Sequence, residues 1–232
     1  LVCLFRWYLT VFAWLRFSAL RVSRDGLPAP HAGHQLVIFS NHPSWWDPAM
    51  YLLVGARFFP GRAAFGPMAA DELRRWGFFR RLGVFGVEPG WRGAASFLRV
   101  IREGLADRRA ALWITAEGAF TDPRVRPLRL QPGIAHLARD LPGTVFIPLA
   151  LDYVFWNESR PEALLRFGAP VTADGVGDVA NWTRVLTAAL TETMDALAAD
   201  SASRDPARFV TLLPGATQTG LLFQKSWRTE AA

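Results

Sequence analysis

A histidine and an aspartate stand five residues apart in Ser40-Asn41-His42-Pro43-Ser44-Trp45-Trp46-Asp47-Pro48. Histidine is the side chain whose unperturbed pKa suits proton removal near neutral pH, and a carboxylate on its second ring nitrogen fixes the tautomer and stabilises the imidazolium that forms. His42 and Asp47 can supply both functions if the chain turns tightly between them, so that the pair takes a hydroxyl proton as the oxygen attacks a carbonyl. Pro43 and a helix beginning at Pro48 make that turn credible. The same residues also have a purely structural reading. Asp47 ahead of Pro48 is a good helix N-cap, and Ser44 with Asp47 three residues on resembles a capping box. Spacing alone leaves both readings open.

The pair needs a strand behind it and a helix ahead of it. Gln35 to Ser40 reads as a short buried strand ending on Asn41-His42, a position where catalytic residues often lie, and Pro48 to Val54 reads as helix. The rhythm continues with strand at Arg62 to Phe65, helix at Met68 to Trp76 and strand at Val84 to Val87. Trp91 to Leu105 has helical periodicity, with Phe97, Leu98, Ile101 and Leu105 on one side, and the buried strand Ala110 to Thr115 follows. Gln131 to Arg139 reads as helix, Val145 to Leu151 and Ala163 to Phe167 as strands, and Val179 to Ala199 as a long helix. This alternation predicts an α/β fold: one domain with a central mixed, partly parallel sheet flanked by helices, occupying residues 25–200, with a tail of uncertain structure at 201–232.

Residues 1–22 are apolar and aromatic, but their longest charge-free stretch, Trp7 to Leu15, is far short of the roughly 20 residues of a spanning helix. Wound as a helix, Arg6, Arg16 and Arg21 share an arc of about 140° and leave the remainder apolar. That profile predicts a helix over residues 1–24 lying in a membrane surface, with an ordinary core helix as the competing reading. Arginines inside the apolar run, and no clear small-residue cleavage site, speak against a signal peptide.

Composition agrees with contact to lipid: 51% of the residues are hydrophobic and ten are Trp, a residue that favours the membrane–water boundary. The net charge of +6 is almost all arginine, since Lys225 is the one lysine. Such a balance suits anionic lipids or substrates, and equally follows from GC-rich coding. The arginines are scattered and no nucleic-acid motif appears, so no nucleic-acid partner is expected. One cysteine excludes an internal disulfide framework and fits a cytoplasmic compartment. His31-x-x-His34 lies in a Pro/Gly loop without a third ligand, so no metal is expected. Gly175-Val176-Gly177 is followed by too little chain for a dinucleotide fold, and neither a Walker loop nor a Gly-x-Ser-x-Gly elbow occurs. His136 sits in a helical run beside Leu137 and reads as structural.

Asn41-His42-x-Ser44-x-x-Asp47 resembles the first signature block of the glycerophospholipid and lysophospholipid acyltransferases. Three further segments fall in that family's order: Gly83-Val84-Phe85-Gly86-Val87, Ile114-Thr115-Ala116-Glu117-Gly118 and Val145-Phe146-Ile147-Pro148-Leu149-Ala150. The resemblance implies His42 as general base and Asp47 as its partner. It further implies that Glu117 and Gly118 shape an acceptor site with Asn41 and Ser44, and that Pro148 shapes the floor. It implies transfer of a fatty acyl group from acyl-CoA or acyl-carrier protein as cosubstrate to a hydroxyl of a lysophospholipid, glycolipid or other amphipathic acceptor, with no bound cofactor; a non-catalytic lipid-binding homologue and an acyl thioester hydrolase on the same fold are the alternatives. With the N-terminal helix and the single cysteine, the expected place is the cytoplasmic face of the cell membrane, peripheral or monotopic. Acceptor-phosphate arginines, which many members carry after blocks two and three, are missing: the corresponding stretches read Val87-Glu88-Pro89-Gly90 and Glu117-Gly118-Ala119-Phe120. Arg124 and Arg126 lie downstream and could reach back to the acceptor, although their run also reads as a solvated loop.

Overall fold

The computed structural model describes residues 2–29, 31 and 33–216. Helix α1 (Val2–Arg16) leads into strand β1 (Ala19–Ser23), β2 (Leu36–Ser40), α2 (Asp47–Phe58), β3 (Ala63–Ala69), α3 (Ala70–Arg75) and β4 (Val84–Val87). Helix α4 (Gly90–Ala106), β5 (Ala110–Thr115), α5 (Pro132–Asp140), β6 (Val145–Val154), β7 (Glu162–Phe167), β8 (Val171–Thr172), α6 (Val179–Ser203) and β9 (Phe209–Pro214) complete the described chain.

The strands form one sheet in the order β4-β3-β5-β2-β6-β7-β1-β9, with β8 against β6. The pairs β4–β3, β3–β5, β5–β2 and β2–β6 are parallel, whereas β6–β7 and β1–β9 are antiparallel. This is the expected mixed, partly parallel α/β sheet. Strand β2 lies at its centre with all five residues buried, because helices cover both faces. Val37 and Phe39 face a core built with Ile101, Leu105, Leu137 and Leu190, while Leu36 and Ile38 face one built with Met50, Val54 and Phe17. The five parallel strands therefore end together at one edge, and β2 delivers the chain to that edge at Ser40.

The structure corrects the expected boundaries at both ends. The apolar run of residues 1–22 is not one helix: it ends at Arg16, and Ala19–Ser23 is a strand between β7 and β9. Within it Leu20 and Val22 enter the core, while the Arg21 guanidinium pairs with Glu162. The period is thus two rather than 3.6. At the other end Phe209–Pro214 closes the sheet, so the domain does not stop at residue 200. The expected helix at Met68 starts two residues later, since Met68 and Ala69 still pair with β4.

Pro148 lies in an interior strand. It faces the break where the antiparallel neighbour of β6 changes from β8, opposite Phe146, to β7, opposite Leu149. Its carbonyl accepts from Gly168 N at 2.9 Å, and its missing N–H falls where the neighbour is interrupted.

Candidate active site

Past the end of β2, the chain makes the tight turn that the His42–Asp47 pairing requires. Asp47 is the first residue of α2 but does not cap it; no side chain caps this helix. Its carboxylate instead turns back to His42, whose Nδ1 lies 2.6 Å from Oδ2. The Ser44 N–H donates to the same oxygen at 3.2 Å, and the Tyr153 hydroxyl, at the end of β6, donates to Oδ1 at 2.7 Å. Ser44 Oγ in turn accepts from Trp46 N at 3.2 Å. Asp47 is fully buried, and burial raises its carboxyl pKa against the opposing pull of these donors. Tyr153 and the neighbouring buried Tyr51, which bonds Ser40 Oγ, are held neutral by burial first and by the Asp47 charge second.

The second wall of the site comes from the end of β5. Ala116 N donates to Ser40 O at 2.8 Å, which prolongs the β2–β5 pairing to the site. Glu117 follows, and its Oε2 accepts from His42 N at 3.1 Å. Its carboxyl pKa is raised by burial, with the bond from His42 N and the charges of His42 and Arg126 acting the other way. Gly118 sits in the left-handed region at φ +71°, where the chain reverses. The loop then crosses the histidine: Thr121 N donates to His42 O at 3.0 Å, and the exposed Phe120 ring rests 4.3 Å from the imidazole. With Nδ1 engaged by a carboxylate, Nε2 is the nitrogen left for proton transfer.

The sequence profile of the acyltransferase family matches residues 21–152, from within β1 through His42, Asp47 and Glu117 and most of β6, ending one residue before Tyr153. The chain belongs to the acyltransferase family. No curated protein matches it. Among solved structures it is similar to the 1-acyl-sn-glycerophosphate (LPA) acyltransferase PlsC from Thermotoga maritima, at 16% sequence identity and a TM-score of 0.59, over 85% of this chain and 80% of that one. That likeness is one of fold.

Within this acyltransferase, the residues singled out from the sequence separate into groups. His42, Asp47, Ser44, Glu117 and Gly118 converge. Asn41 does not offer its side chain to an acceptor. It is fully buried, donates to Leu151 O and accepts from Leu151 N, both at 2.9 Å, so it ties β2 to β6 beneath the site. Arg124 pairs with Asp122 at 3.2 Å, and Arg126 bonds the carbonyls of Pro123 and Val125 and the carboxylate of Asp195. Arg126 reaches Glu117 only through its field. Glu88 is held by Arg74 at 2.8 Å. Sequence reasoning passed over Tyr153 and Phe120; the first follows the fourth signature segment by three residues and the second follows Glu117-Gly118 by two, and neither position has a spacing signal of its own.

Proposed function

We propose that this acyltransferase moves a fatty acyl group from a thioester, acyl-CoA or acyl-carrier protein, to a hydroxyl of an amphipathic acceptor at a membrane surface. The observation that carries the reading is the buried Asp47 carboxylate bonded to His42 Nδ1. An ionised Asp47 keeps the proton on Nδ1 and leaves Nε2 as base. His42 then takes the acceptor's hydroxyl proton as its oxygen adds to the thioester carbonyl. Collapse of the tetrahedral adduct expels the thiolate, which recovers the proton from the imidazolium. The products are an ester and a free thiol, and no metal or bound cofactor enters the balance.

For the acceptor, a neutral hydroxyl on a lipid, glycolipid or glycosylated isoprenoid deserves weight comparable to that of a glycerol phosphate. The arginines nearest the site, Arg124 and Arg126, are paired with Asp122 and Asp195, and Glu88 stands where a phosphate ligand would be expected. Glu117, whose backbone-facing carboxylate bonds His42 N, adds a further acidic group and no cation to the site.

Peripheral or monotopic association with a membrane, for which we propose the cytoplasmic face, is supported as to the membrane alone by α1. Leu4, Trp7, Tyr8, Val11, Trp14 and Leu15 are exposed and fall within an arc of about 120°, opposite the buried Leu9 and Ala13. The apolar stripe thus points away from the protein, the reverse of a helix meant for water. No described helix is long and apolar enough to cross a membrane.

Labelled acyl thioester supplied to the purified protein with a panel of acceptors tests the whole reading. Acylated lipid supports transfer. Acceptor-independent release of fatty acid assigns a hydrolase, and lipid binding without turnover assigns a non-catalytic homologue. Rapid turnover of lysophosphatidate with none on neutral hydroxyls refutes the acceptor class alone.

A further inference from the structure

Between α3 and β4 the chain makes a 3-10 turn, Gly77–Leu82, anchored by the buried Leu82 and closed by Gly83 at φ +90°. What it presents outward is unusual for a surface turn: Trp76 is 50% exposed and Phe78 46% exposed, with Phe79 stacked on Phe78 at 4.2 Å. Around these rings residues 70–82 carry four arginines against one aspartate and one glutamate. Arg74 is engaged by Asp71 and Glu88, and Arg75 lies over the Trp76 ring, whereas the exposed Arg80 and Arg81 form no ion pair with any described residue. Exposed aromatic rings ringed by arginine match the chemistry of an anionic bilayer interface, where rings enter the headgroup layer and guanidinium groups meet phosphate.

The turn is also continuous with α1. Phe78 meets Phe5 edge-on at 5.6 Å, and from Phe5 a row of rings runs through Tyr8 and Phe12 to Trp46, the residue before Asp47. Trp46 stacks on Trp45, which is 63% exposed. One aromatic surface therefore joins the turn, the helix and the loop that carries His42.

We infer that the Trp76–Arg81 turn is a second docking point for an anionic lipid bilayer, set beside α1 so that the membrane is gripped on two elements and the His42–Asp47 turn is held at its surface. The inference rests on the membrane reading of α1 and adds to it a separate element with its own charge selectivity. Acidic protein partners are the competing class of occupant; the large exposed rings and their continuity with α1 favour lipid.

Sedimentation of the full chain with vesicles of phosphatidylcholine, with or without phosphatidylglycerol, tests this. In W76S/F78S, binding to the anionic vesicles is expected to fall by on the order of tenfold. In R80Q/R81Q, the preference for anionic over zwitterionic vesicles is expected to fall by about tenfold, with binding to phosphatidylcholine alone little changed. All four side chains are exposed, so melting temperatures should match the parent and exclude misfolding. A W7S/W14S variant reports on α1 separately. Loss of binding there with parental binding in both turn variants overturns the second docking point and leaves α1 standing; parental binding in all three overturns both. Turn variants that keep vesicle binding and lose only affinity for an acidic carrier protein also overturn the inference, and assign the turn to a protein partner. None of these readouts depends on turnover, so failure of the acyl-transfer reading would be seen independently.

Discussion

Tyr153→Phe removes one oxygen and isolates what the tyrosine contributes. The hydroxyl donates to Asp47 Oδ1 at 2.7 Å, while Oδ2 serves His42 and the Ser44 N–H. No other described donor reaches Oδ1, and Asp47 has no exposure to water that could replace the bond. A hydrogen bond to a charged group contributes about 1.5–3 kcal/mol. If that stabilisation supports the ion pair that forms when His42 accepts a proton, the rate falls by roughly 10- to 150-fold at neutral pH. The pH profile adds a signature that loss of packing lacks. The Tyr153 bond lowers the Asp47 pKa against burial, so its removal raises that pKa further. Asp47 must be ionised to hold the imidazolium, so the acid limb of kcat/KM should move to higher pH and part of the lost rate should return there. Initial rates of Tyr153→Phe and the parent across the acid range are the assay. An unchanged limb with a parental rate refutes the role given to Tyr153.

Asp47→Asn should separate activity from stability. Because burial holds the Asp47 carboxyl above its ordinary 3.8, the folded chain binds that proton more tightly than the unfolded chain; the resulting stability is full below 3.8 and is lost as pH rises through the raised value. The asparagine variant should therefore melt higher than the parent at neutral pH, with the gap closing in acid, while transfer falls roughly 10³- to 10⁴-fold as in other His–Asp sites. Gly118→Ala forces a side chain into a left-handed position with its Cβ 2.8 Å from Gln131 Cγ, and should cost about 1–2 kcal/mol in thermal or urea unfolding with loss of activity. Arg124→Gln with Arg126→Gln should change KM for a neutral hydroxyl acceptor by less than about threefold, since exposed, paired arginines contribute little; a rise of two orders of magnitude would restore them as acceptor ligands.

Much of the sheet is legible in the sequence because strands buried on both faces appear as unbroken apolar runs, as at Leu36–Ser40, Ala110–Thr115 and from Val145 onward. Ala19–Ser23 escapes that reading because it continues the apolar run of α1 without punctuation, and its partners lie near residues 162–165 and 209–214. Phe209–Pro214 is short and stands after a long helix, where nothing local says that it pairs with β1. The site shows the same limit. His42-x-x-x-x-Asp47 fits a helix cap as well as a base and its partner, and nothing local to it says that Asp47 leaves the helix uncapped and bonds a hydroxyl 106 positions away. Asn41 adjoins His42 in the chain, yet its amide is consumed by Leu151, as only the β2–β6 register reveals.

His42 as the base is the central claim, and His42→Ala tests it most directly in a transfer assay with labelled acyl thioester and an acceptor that the parent acylates. The bonds of the His42 backbone to Glu117 and Thr121 do not involve the imidazole, so the variant should keep its fold and its vesicle binding, which its melting temperature checks. The account predicts loss of transfer by at least about 10³-fold, with no recovery across the pH range. Transfer at the parental rate by the folded variant would contradict it.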